Sequence, residues 1–281
     1  SLSFNPITDE LKGSDGVSFK LTPPAPAPEV PAKNFAGGRE QFSSPPDDGS
    51  TVTVDVDPNS KRIQILKPWD AWDGEDIIDS VILLKAQGKC TTDHISPAGV
   101  WLSLRGHLDK FSDNMFMGAV NAFTKETGKG TNLISGETGK AVSQNARDYK
   151  AAGQKWIVIG DDNYGEGSSR EHAALSPRLL GGSAVIAKSF ARIHETNLKK
   201  QGLLALTFDD RNDYSKIRED DRVDITGLTS LSPDKKVNCT IHHSGGSSDG
   251  SSETIQLNHT YSESQIEWFR KGSFLNLFHS S

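Results

Sequence analysis

The sequence predicts an α/β fold with a central parallel or mixed sheet, and three observations support that prediction. Strand and helix patterns alternate between residues 156 and 208, which is typical of βαβ units. The strands in this region are continuously apolar, as expected for parallel strands that are buried on both faces. Beyond residue 220 apolar and polar residues alternate, which indicates further strands.

Apolar runs and glycine stops predict the individual elements. Strands are predicted at residues 62–66, 79–86, 156–160, 183–187, 203–208, 223–225, 237–242 and 254–257. Helices are predicted at residues 141–152, 190–201 and 262–270, and from the turn after strand 156–160 through Leu180. A glycine follows three of these helices, as is common at helix ends: Gly153, Gly202 and Gly272.

The first 60 residues differ in composition from the rest of the chain. Residues 13–16 read GSDG between two short apolar stretches, which predicts a tight hairpin. Residues 22–60 are rich in Pro, Gly and Ser, so we interpret them as an extended linker to something upstream. Because the chain opens on Ser1 rather than Met, we expect a processed or trimmed piece of a longer protein.

Composition excludes several classes of function. The net charge of −6 gives no overall attraction to nucleic acid or to an anionic membrane. No apolar run approaches the roughly 20 residues that a membrane span needs. The two cysteines, Cys90 and Cys239, suit a reducing compartment and provide no disulfide framework.

One turn is a candidate functional site. Residues 165–172 read GEGSSREH and directly follow the apolar strand 156–160. The two glycines allow the backbone to bend and to approach a ligand closely. A helix that started here would point free N–H groups at the turn, and the planar guanidinium of Arg170 suits a carboxylate. The turn is therefore predicted to hold a small anion.

Ser168 within this turn has two interpretations that the residues leave open. Ser168 and Glu171 have the spacing of a capping box, which would explain both side chains. Alternatively, Ser168 is a general base whose alkoxide is stabilised by a guanidinium and by helix-start N–H groups. The turn matches neither the G-x-S-x-G elbow of hydrolases nor the dinucleotide fingerprint, because Arg170 stands where a glycine is required.

Other candidates are also ambiguous when taken alone. Arg170 is unfavourable in the first turn of a helix, a local conflict typical of functional sites, although an arginine is commonly just a surface charge. Arg105 precedes a glycine and is either an exposed side chain or a second carboxylate clamp. Cys90, Asp93 and His94 lack partners for a metal site, so we predict no metal and interpret Asp93 as orienting a charged group in a pocket.

Four segments together resemble a known family. They are residues 88–96 (GKCTTDHIS), 105–107 (RGH), 160–175 (GDDNYGEGSSREHAAL) and 189–198 (SFARIHETNL). In this order they are similar to the motifs of the C-terminal, swivelling domain of aconitases. The letters REH at residues 170–172 resemble the mitochondrial branch more than the cytosolic, iron-regulatory one.

The resemblance implies a fold and an activity. It implies a swivelling β/β/α domain at residues 61–281, the linker at 22–60 and the remnant of an upstream domain at 1–21. It implies a hydro-lyase of the mitochondrial matrix that interconverts citrate and isocitrate through cis-aconitate, in the tricarboxylic acid cycle. The residues that match the family's site are a base and a pocket acid, Ser168 and Asp93, and three carboxylate-binding side chains, Arg105, Ser169 and Arg170.

The resemblance also implies a [4Fe-4S] cluster that three cysteines hold in the family's earlier domains. Cys90 and Cys239 stand in the wrong places, so this chain is expected to supply no cluster ligand. Its expected partners are citrate, isocitrate and cis-aconitate, together with the upstream cluster-binding domains, and neither nucleic acid nor a membrane. Alone, the chain is expected to bind citrate weakly and to have no turnover.

Three other functions remain alternatives at this point. A homocitrate or isopropylmalate hydro-lyase would use the same fold, although the aconitase-like residues at positions 168–170 argue against it. An RNA-binding regulatory domain is disfavoured by the acidic balance. A non-catalytic anion-binding module would become preferable if Arg105 and Arg170 proved dispensable for citrate binding.

Overall fold

The computed structural model describes residues 4–26, 43–243 and 250–279. Contacts divide the chain into two units, Ser1–Thr53 and Val54–Ser281. Residues 27–42 of the predicted linker lie outside the described residues. The boundaries proposed for the linker and for the domains on either side of it therefore stay a prediction.

The first unit contains the predicted hairpin. Strand β1 (Glu10–Lys12) pairs antiparallel with β2 (Ser18–Lys20). Gly16 in the turn has φ 79°, a left-handed conformation that glycine adopts without a steric penalty. A single 3₁₀ turn, Gly49–Thr51, follows among the described residues of this unit and is capped by the side chain of Asp48.

The second unit alternates strands and helices. Its strands are β3 (Ile77–Lys85), β4 (Lys129–Gly130), β5 (Lys140–Ala141), β6 (Trp156–Gly160), β7 (Gly182–Ala187), β8 (Leu204–Phe208), β9 (Arg222–Thr226), β10 (Val237–His242) and β11 (Ser252–Asn258). Its helices are α1 (Thr92–Ile95), α2 (Leu108–Phe111), α3 (Val142–Ala151), α4 (His172–Leu179), α5 (Arg192–Lys200) and α6 (Glu263–Arg270). Within the described ranges, none of the helices is long and apolar enough to cross a membrane.

The main sheet of this unit closes into a barrel. Its strand order is β10-β11-β8-β7-β6-β3-β9, with β9 returning to β10. Strands β3, β6, β7 and β8 are parallel to their neighbours in that set, whereas β9, β10 and β11 pair antiparallel. The predicted α/β class with a mixed sheet is confirmed, and the closure of the sheet is a feature that the patterns did not indicate.

The core has two parts that correspond to the two faces of the sheet. The inner face of the barrel is filled by alternate residues of every strand, among them Ile157, Ile186 and Leu206. The outer face of the parallel strands packs under α3, α4 and α5. Strands β9 and β10 alternate between buried and more exposed residues, as is typical of strands with one face on the core and one toward solvent. This difference explains why the parallel strands read as continuous apolar runs and the later strands as alternating ones.

One predicted strand is wrong. Residues 62–66 form no ladder, and a single bridge joins Ile63 to Gly106. Ile63, Ile65 and Leu66 are largely exposed. The segment runs along the surface beside residues 102–106, where the described chain offers no neighbouring strand, so its β-type residues have no sheet to join.

The glycines that follow α3 and α5 share a conformation but differ in their surroundings. Gly153 and Gly202 have φ values of 69° and 73°. A Cβ at Gly153 would meet open space, whereas a Cβ at Gly202 would overlap the carbonyl group of Gly272.

We therefore expect Gly153→Ala and Gly202→Ala to differ in stability. Gly153→Ala should lower the free energy of unfolding by about 1 kcal/mol, the cost of a left-handed conformation for an L-residue. Gly202→Ala should lower it by roughly 3 kcal/mol or more, because a backbone clash is added. Urea unfolding followed by circular dichroism measures both variants, and equal losses would contradict the packing argument.

Lys85 ends strand β3 with a buried ammonium group. Its Nζ donates hydrogen bonds to the carbonyls of Tyr214 and Ile217 at 2.7 and 2.9 Å, and lies 4.2 Å from the centre of the Tyr214 ring. Burial lowers the pKa of Lys85 to about 8, against the opposing effect of the Asp221 carboxylate. The charged form is therefore less favourable in the folded chain than in water.

A pH dependence follows from this lowered pKa. Between pH 8 and the ordinary lysine pKa near 10.5, the unfolded chain binds more protons at this position, so stability should rise with pH. Lys85→Met should remove a slope of at most about 1.4 kcal/mol per pH unit. The test compares urea unfolding of both proteins from pH 7 to pH 10. A constant difference between the two curves would show that Lys85 does not titrate as expected.

Candidate anion-binding site

The predicted turn lies at the carboxyl end of β6 and bends sharply at two glycines. Gly165 and Gly167 have φ values of 81° and 117°. A Cβ at Gly165 would overlap the ring of His194, which is 1% exposed. Burial lowers the pKa of His194 to about 4, so this ring is neutral at pH 7. The turn therefore rests directly on an uncharged buried ring, and residue 165 must be glycine to allow it.

A second segment, residues 90–96, runs alongside the turn. Gly165 N–H donates to the carbonyl of Cys90, and Thr92 N–H donates to the carbonyl of Glu166, both at 2.8 Å. The two segments meet because each follows one of two adjacent parallel strands, β3 and β6. Parallel strands bring their carboxyl ends to the same edge of a sheet, where ligands commonly bind.

The short helix α1 positions Asp93 at this edge. Thr91 caps α1 through its side chain, which accepts from His94 N–H, while the ring of His94 accepts from Thr91 N–H. Asp93 occupies the first turn and is exposed. This capping box accounts for His94 without a metal ion. Among the described residues, no cluster of three His, Cys, Asp or Glu side chains has the arrangement needed to hold a metal.

Arg170 joins the two segments through its side chain. Its Nη1 donates to Asp93 Oδ1 at 2.6 Å and to the carbonyl of Ser96 at 2.8 Å. The Arg170 side chain is 15% exposed, whereas that of Asp93 is 59% exposed. Both hydrogen bonds use a single nitrogen of the guanidinium, and Nε and Nη2 bind no other described residue. Donors therefore remain for a carboxylate.

The start of α4 differs from the prediction. The helix begins at His172, and its N-cap is Glu171, which makes no side-chain cap bond. Ser168 is therefore not a cap, and of the two interpretations left open for Ser168 the capping box is wrong. The amides of Ala173 and Ala174 already donate to the carbonyls of Arg170 and Glu171. These helix-start N–H groups are thus not free to stabilise an alkoxide at Ser168, and Arg170 precedes the helix.

Ser168 and Ser169 are exposed. Two other hydroxyl groups lie near them but are buried: Thr92 Oγ1 and Ser96 Oγ have no partner among the described residues. A Cβ at Gly167 would come within 3.0 Å of Thr92 Oγ1. The underside of the site is therefore polar, a feature that the sequence analysis missed because Thr92 and Ser96 carry no pattern of their own.

Arg105 reaches the same region through its backbone. It follows the 3₁₀ helix Gly99–Leu104 and is exposed. Its carbonyl lies 2.8 Å from Nε2 of His172, two residues after Arg170. The ring of His172 packs against Phe111 with 4.4 Å between centroids. The structure thus brings Arg105 to the start of α4, and His172 is a connecting residue that the sequence analysis did not single out.

A wide hollow of about 1000 Å³ opens beside Arg105. Its lining includes Lys61, Arg62 and Ser103. Neither cation carries a signal in the sequence, because Arg62 opens a stretch that resembles a strand and Lys61 directly precedes it. Basic side chains from two separate segments therefore border this end of the barrel.

A buried carboxylate anchors the turn from below. Asp161 Oδ2 accepts from Gly88 N–H, and its Oδ1 lies within 2.7 Å of Lys188 Nζ. Burial opposes ionisation of Asp161, but the hydrogen bonds from Lys188 and Gly88 outweigh it and hold the pKa below its ordinary value. The loops after β3, β6 and β7 are therefore tied together by one ionised group.

Comparisons with known proteins find relatives over nearly the whole chain. The family model for the aconitase C-terminal domain matches residues 80–211. The chain is 55% identical over 276 residues to the mitochondrial aconitate hydratase of Gracilaria gracilis, covering 98% of this chain and 35% of that protein. It is 54% identical over 275 residues to a probable mitochondrial aconitate hydratase of Caenorhabditis elegans, covering 98% of this chain and 34% of that protein.

The mitochondrial aconitate hydratase of Saccharomyces cerevisiae is 53% identical over 275 residues, which are 98% of this chain and 35% of that protein. A crystal structure of 3-isopropylmalate dehydratase from Methanocaldococcus jannaschii aligns with a TM-score of 0.47 and 21% identity, covering 73% of this chain and 95% of that one. The chain spans about a third of the length of the curated relatives it matches. On its family-model match and on these identities, the chain belongs to the aconitase family and carries that family's C-terminal domain.

Proposed function

We propose that this chain is the substrate-holding and base-carrying part of an aconitate hydratase, a hydro-lyase that interconverts citrate and isocitrate through cis-aconitate in the tricarboxylic acid cycle. The single observation that carries the proposal is the Arg170 guanidinium. It is fixed at the edge of the barrel by Asp93 and by the Ser96 carbonyl. It keeps further donors for an anionic substrate.

Arg170 and Arg105 are proposed to bind carboxylates of the substrate, with Ser169 as a further donor. Citrate carries three carboxylates, and a guanidinium presents paired N–H groups that match the two oxygens of one carboxylate. Asp93 keeps Arg170 in one orientation before substrate arrives. A positioned donor of this kind loses little conformational entropy on binding.

Ser168 is proposed to remove the carbon-bound proton of the substrate. A serine hydroxyl is a weak base unless its deprotonated form is stabilised by nearby positive charge. The amides of Ala173 and Ala174 are already bonded. Arg170, two residues along the chain, is therefore the cation proposed to provide this stabilisation. Asp93 contributes to the same pocket by fixing that cation.

The rest of the active site is proposed to come from the remainder of a longer protein. The family implies a [4Fe-4S] cluster, but the cysteines of this chain do not fit one. Cys90 and Cys239 are 2% and 0% exposed and belong to different core clusters. Burial raises the pKa of each thiol to about 12, which disfavours the thiolate that a metal requires. Cluster-binding domains of the same enzyme are therefore the proposed partners.

The proposed location is the mitochondrial matrix. The relatives that support it are named as mitochondrial enzymes. The substrates of the proposed reaction are small soluble acids, which suits an enzyme that acts in an aqueous compartment.

The first prediction concerns substrate binding by the 281-residue chain. We expect weak, saturable citrate binding by isothermal titration calorimetry. Arg170→Gln should weaken it about tenfold or more, the value of a charged hydrogen bond. Arg270→Gln, an exposed arginine on α6, is the matched control and should bind as the parent chain. Equal citrate affinity in all three proteins would contradict the proposed role of Arg170, and measurable aconitate formation by the chain alone would contradict the need for further domains.

The second prediction separates the two serines in the complete enzyme. Ser168→Ala should lower kcat by roughly 10²- to 10⁴-fold with little change in KM, as expected for loss of a general base. Ser169→Ala should mainly raise KM, because it removes a substrate-binding donor. Steady-state kinetics and the exchange of the substrate's carbon-bound proton with deuterated water measure both effects. Unchanged proton exchange in Ser168→Ala would exclude Ser168 as the base.

A further inference from the structure

A second cavity lies at the other end of the parallel strands. Its volume is about 410 Å³, within the range of small-molecule sites. It is lined near the amino ends of β3, β6 and β7, by Ile77, Lys155 and Ser183. The turn at residues 165–172 follows the carboxyl end of β6. The cavity is therefore separate from the candidate active site, and an inference about it does not depend on the proposed function.

Three basic side chains line this cavity, and they are not neutralised equally. Lys150 Nζ donates to the carbonyl of Leu179 at 2.5 Å. Lys155 Nζ lies 3.7 Å from Asp73 Oδ2, a loose and partly exposed ion pair. Arg178 Nη2 donates to the carbonyl of Asp70 at 3.1 Å. Two carboxylates, Asp70 and Asp73, also line the cavity, so its cations exceed its carboxylates by one.

Of these three groups, Arg178 gives the strongest indication of an anion-binding site. Its Nε is buried and has no hydrogen-bond partner among the described residues. No carboxylate of the described chain lies within ion-pair distance of it. Burial lowers the pKa of Arg178, against the opposing effect of the Asp70 charge. Arginine stays protonated in proteins, and Arg178 is of intermediate exposure. Holding a partly buried cation without a close anion is costly. An anion in the cavity that contacts the accessible nitrogens of the guanidinium would reduce that cost.

The end of α4 accounts for only part of this arrangement. A cation in the last turn of a helix is favoured by the helix dipole, and Arg178 occupies that position. The dipole, however, supplies no acceptor for the buried Nε. One bond to the Asp70 carbonyl holds the loop in place but leaves the remaining guanidinium donors of Arg178 for a ligand.

Two indole rings form an apolar wall of the same cavity. Trp69 Nε1 donates to Gln201 Oε1, and Trp72 Nε1 donates to the carbonyl of Glu75. The ring N–H groups are thus already used, so Trp69 and Trp72 offer the cavity flat apolar surface rather than donors. Such surfaces favour a planar ring.

We propose that this cavity binds a small organic anion whose phosphate or carboxylate meets Arg178 and whose flat ring lies against Trp69 and Trp72. Lys155 at the cavity edge adds a second positive charge. Asp73 competes with the ligand for Lys155. The recognised chemistry is an oxyanion joined to a planar ring.

The test uses the 281-residue chain and isothermal titration calorimetry at constant ionic strength. The probes are adenosine monophosphate, benzoate, adenosine and inorganic phosphate. We expect saturable binding of an anion that carries a ring, and the comparison of adenosine monophosphate with benzoate distinguishes phosphate from carboxylate. Adenosine and phosphate should each bind about tenfold more weakly, because each lacks one half of the recognised chemistry. No saturable binding of either aromatic anion would overturn the proposal.

Variants then assign the binding to this cavity. Arg178→Gln should weaken binding of the better probe about tenfold, and Asp73→Asn should strengthen it by releasing Lys155. If Arg178→Gln fails to fold by circular dichroism, the pair Lys155→Ala and Asp73→Asn carries the test, with opposite effects expected. Arg170→Gln should leave probe binding unchanged. Loss of binding in Arg170→Gln, or identical affinity in Asp73→Asn and the parent chain, would overturn the assignment.

Discussion

The candidate active site depends on the parallel pairing of β3 with β6. This pairing brings the loops after the two strands to one edge of the barrel. There, Gly165 and Thr92 donate backbone hydrogen bonds across the gap. Arg170 can reach Asp93 only because those loops are already held side by side. The glycine at position 165 adds a steric condition, since only a residue without Cβ allows the turn to lie on the ring of His194.

Helix α4 connects the candidate active site with the second cavity. Its first residue, His172, contacts the backbone of Arg105, and its last turn carries Arg178 into the second cavity. The helix dipole favours Arg178 and disfavours positive charge near the helix start. The Asp93 carboxylate offsets the unfavourable interaction of Arg170 with the helix dipole. Arg178, in contrast, has no close carboxylate among the described residues. Arg170 is thus held by a carboxylate, whereas Arg178 is the residue that we propose to contact an external anion.

The described residues supply only part of the chemistry that we propose for the complete enzyme. Its basic groups and hydroxyls suit the binding of carboxylates and the movement of a proton, while its two thiols are buried in separate cores. The chain spans only about a third of the length of the relatives it matches. The groups that would face Ser168 and Arg170 are therefore proposed to belong to other domains. The edge of the barrel, where hydrogen bonds join the loops after β3 and β6, is suited to form one side of an active site shared with another domain.

The sequence by itself determined the elements whose patterns arise from local physics. Glycine stops ended α3 and α5, continuous apolar runs marked β6, β7 and β8, and alternation marked β9 and β10. Sequence also singled out the turn with Ser168 and Arg170, because glycines and an arginine there conflict with ordinary helix starts. Only the tertiary structure decided that the sheet closes, that residues 62–66 pair with no strand, and that α4 starts at His172. Those outcomes depend on which segments become neighbours. Long-range contacts such as Arg170 with Asp93 and Arg105 with His172 leave no trace in local spacing.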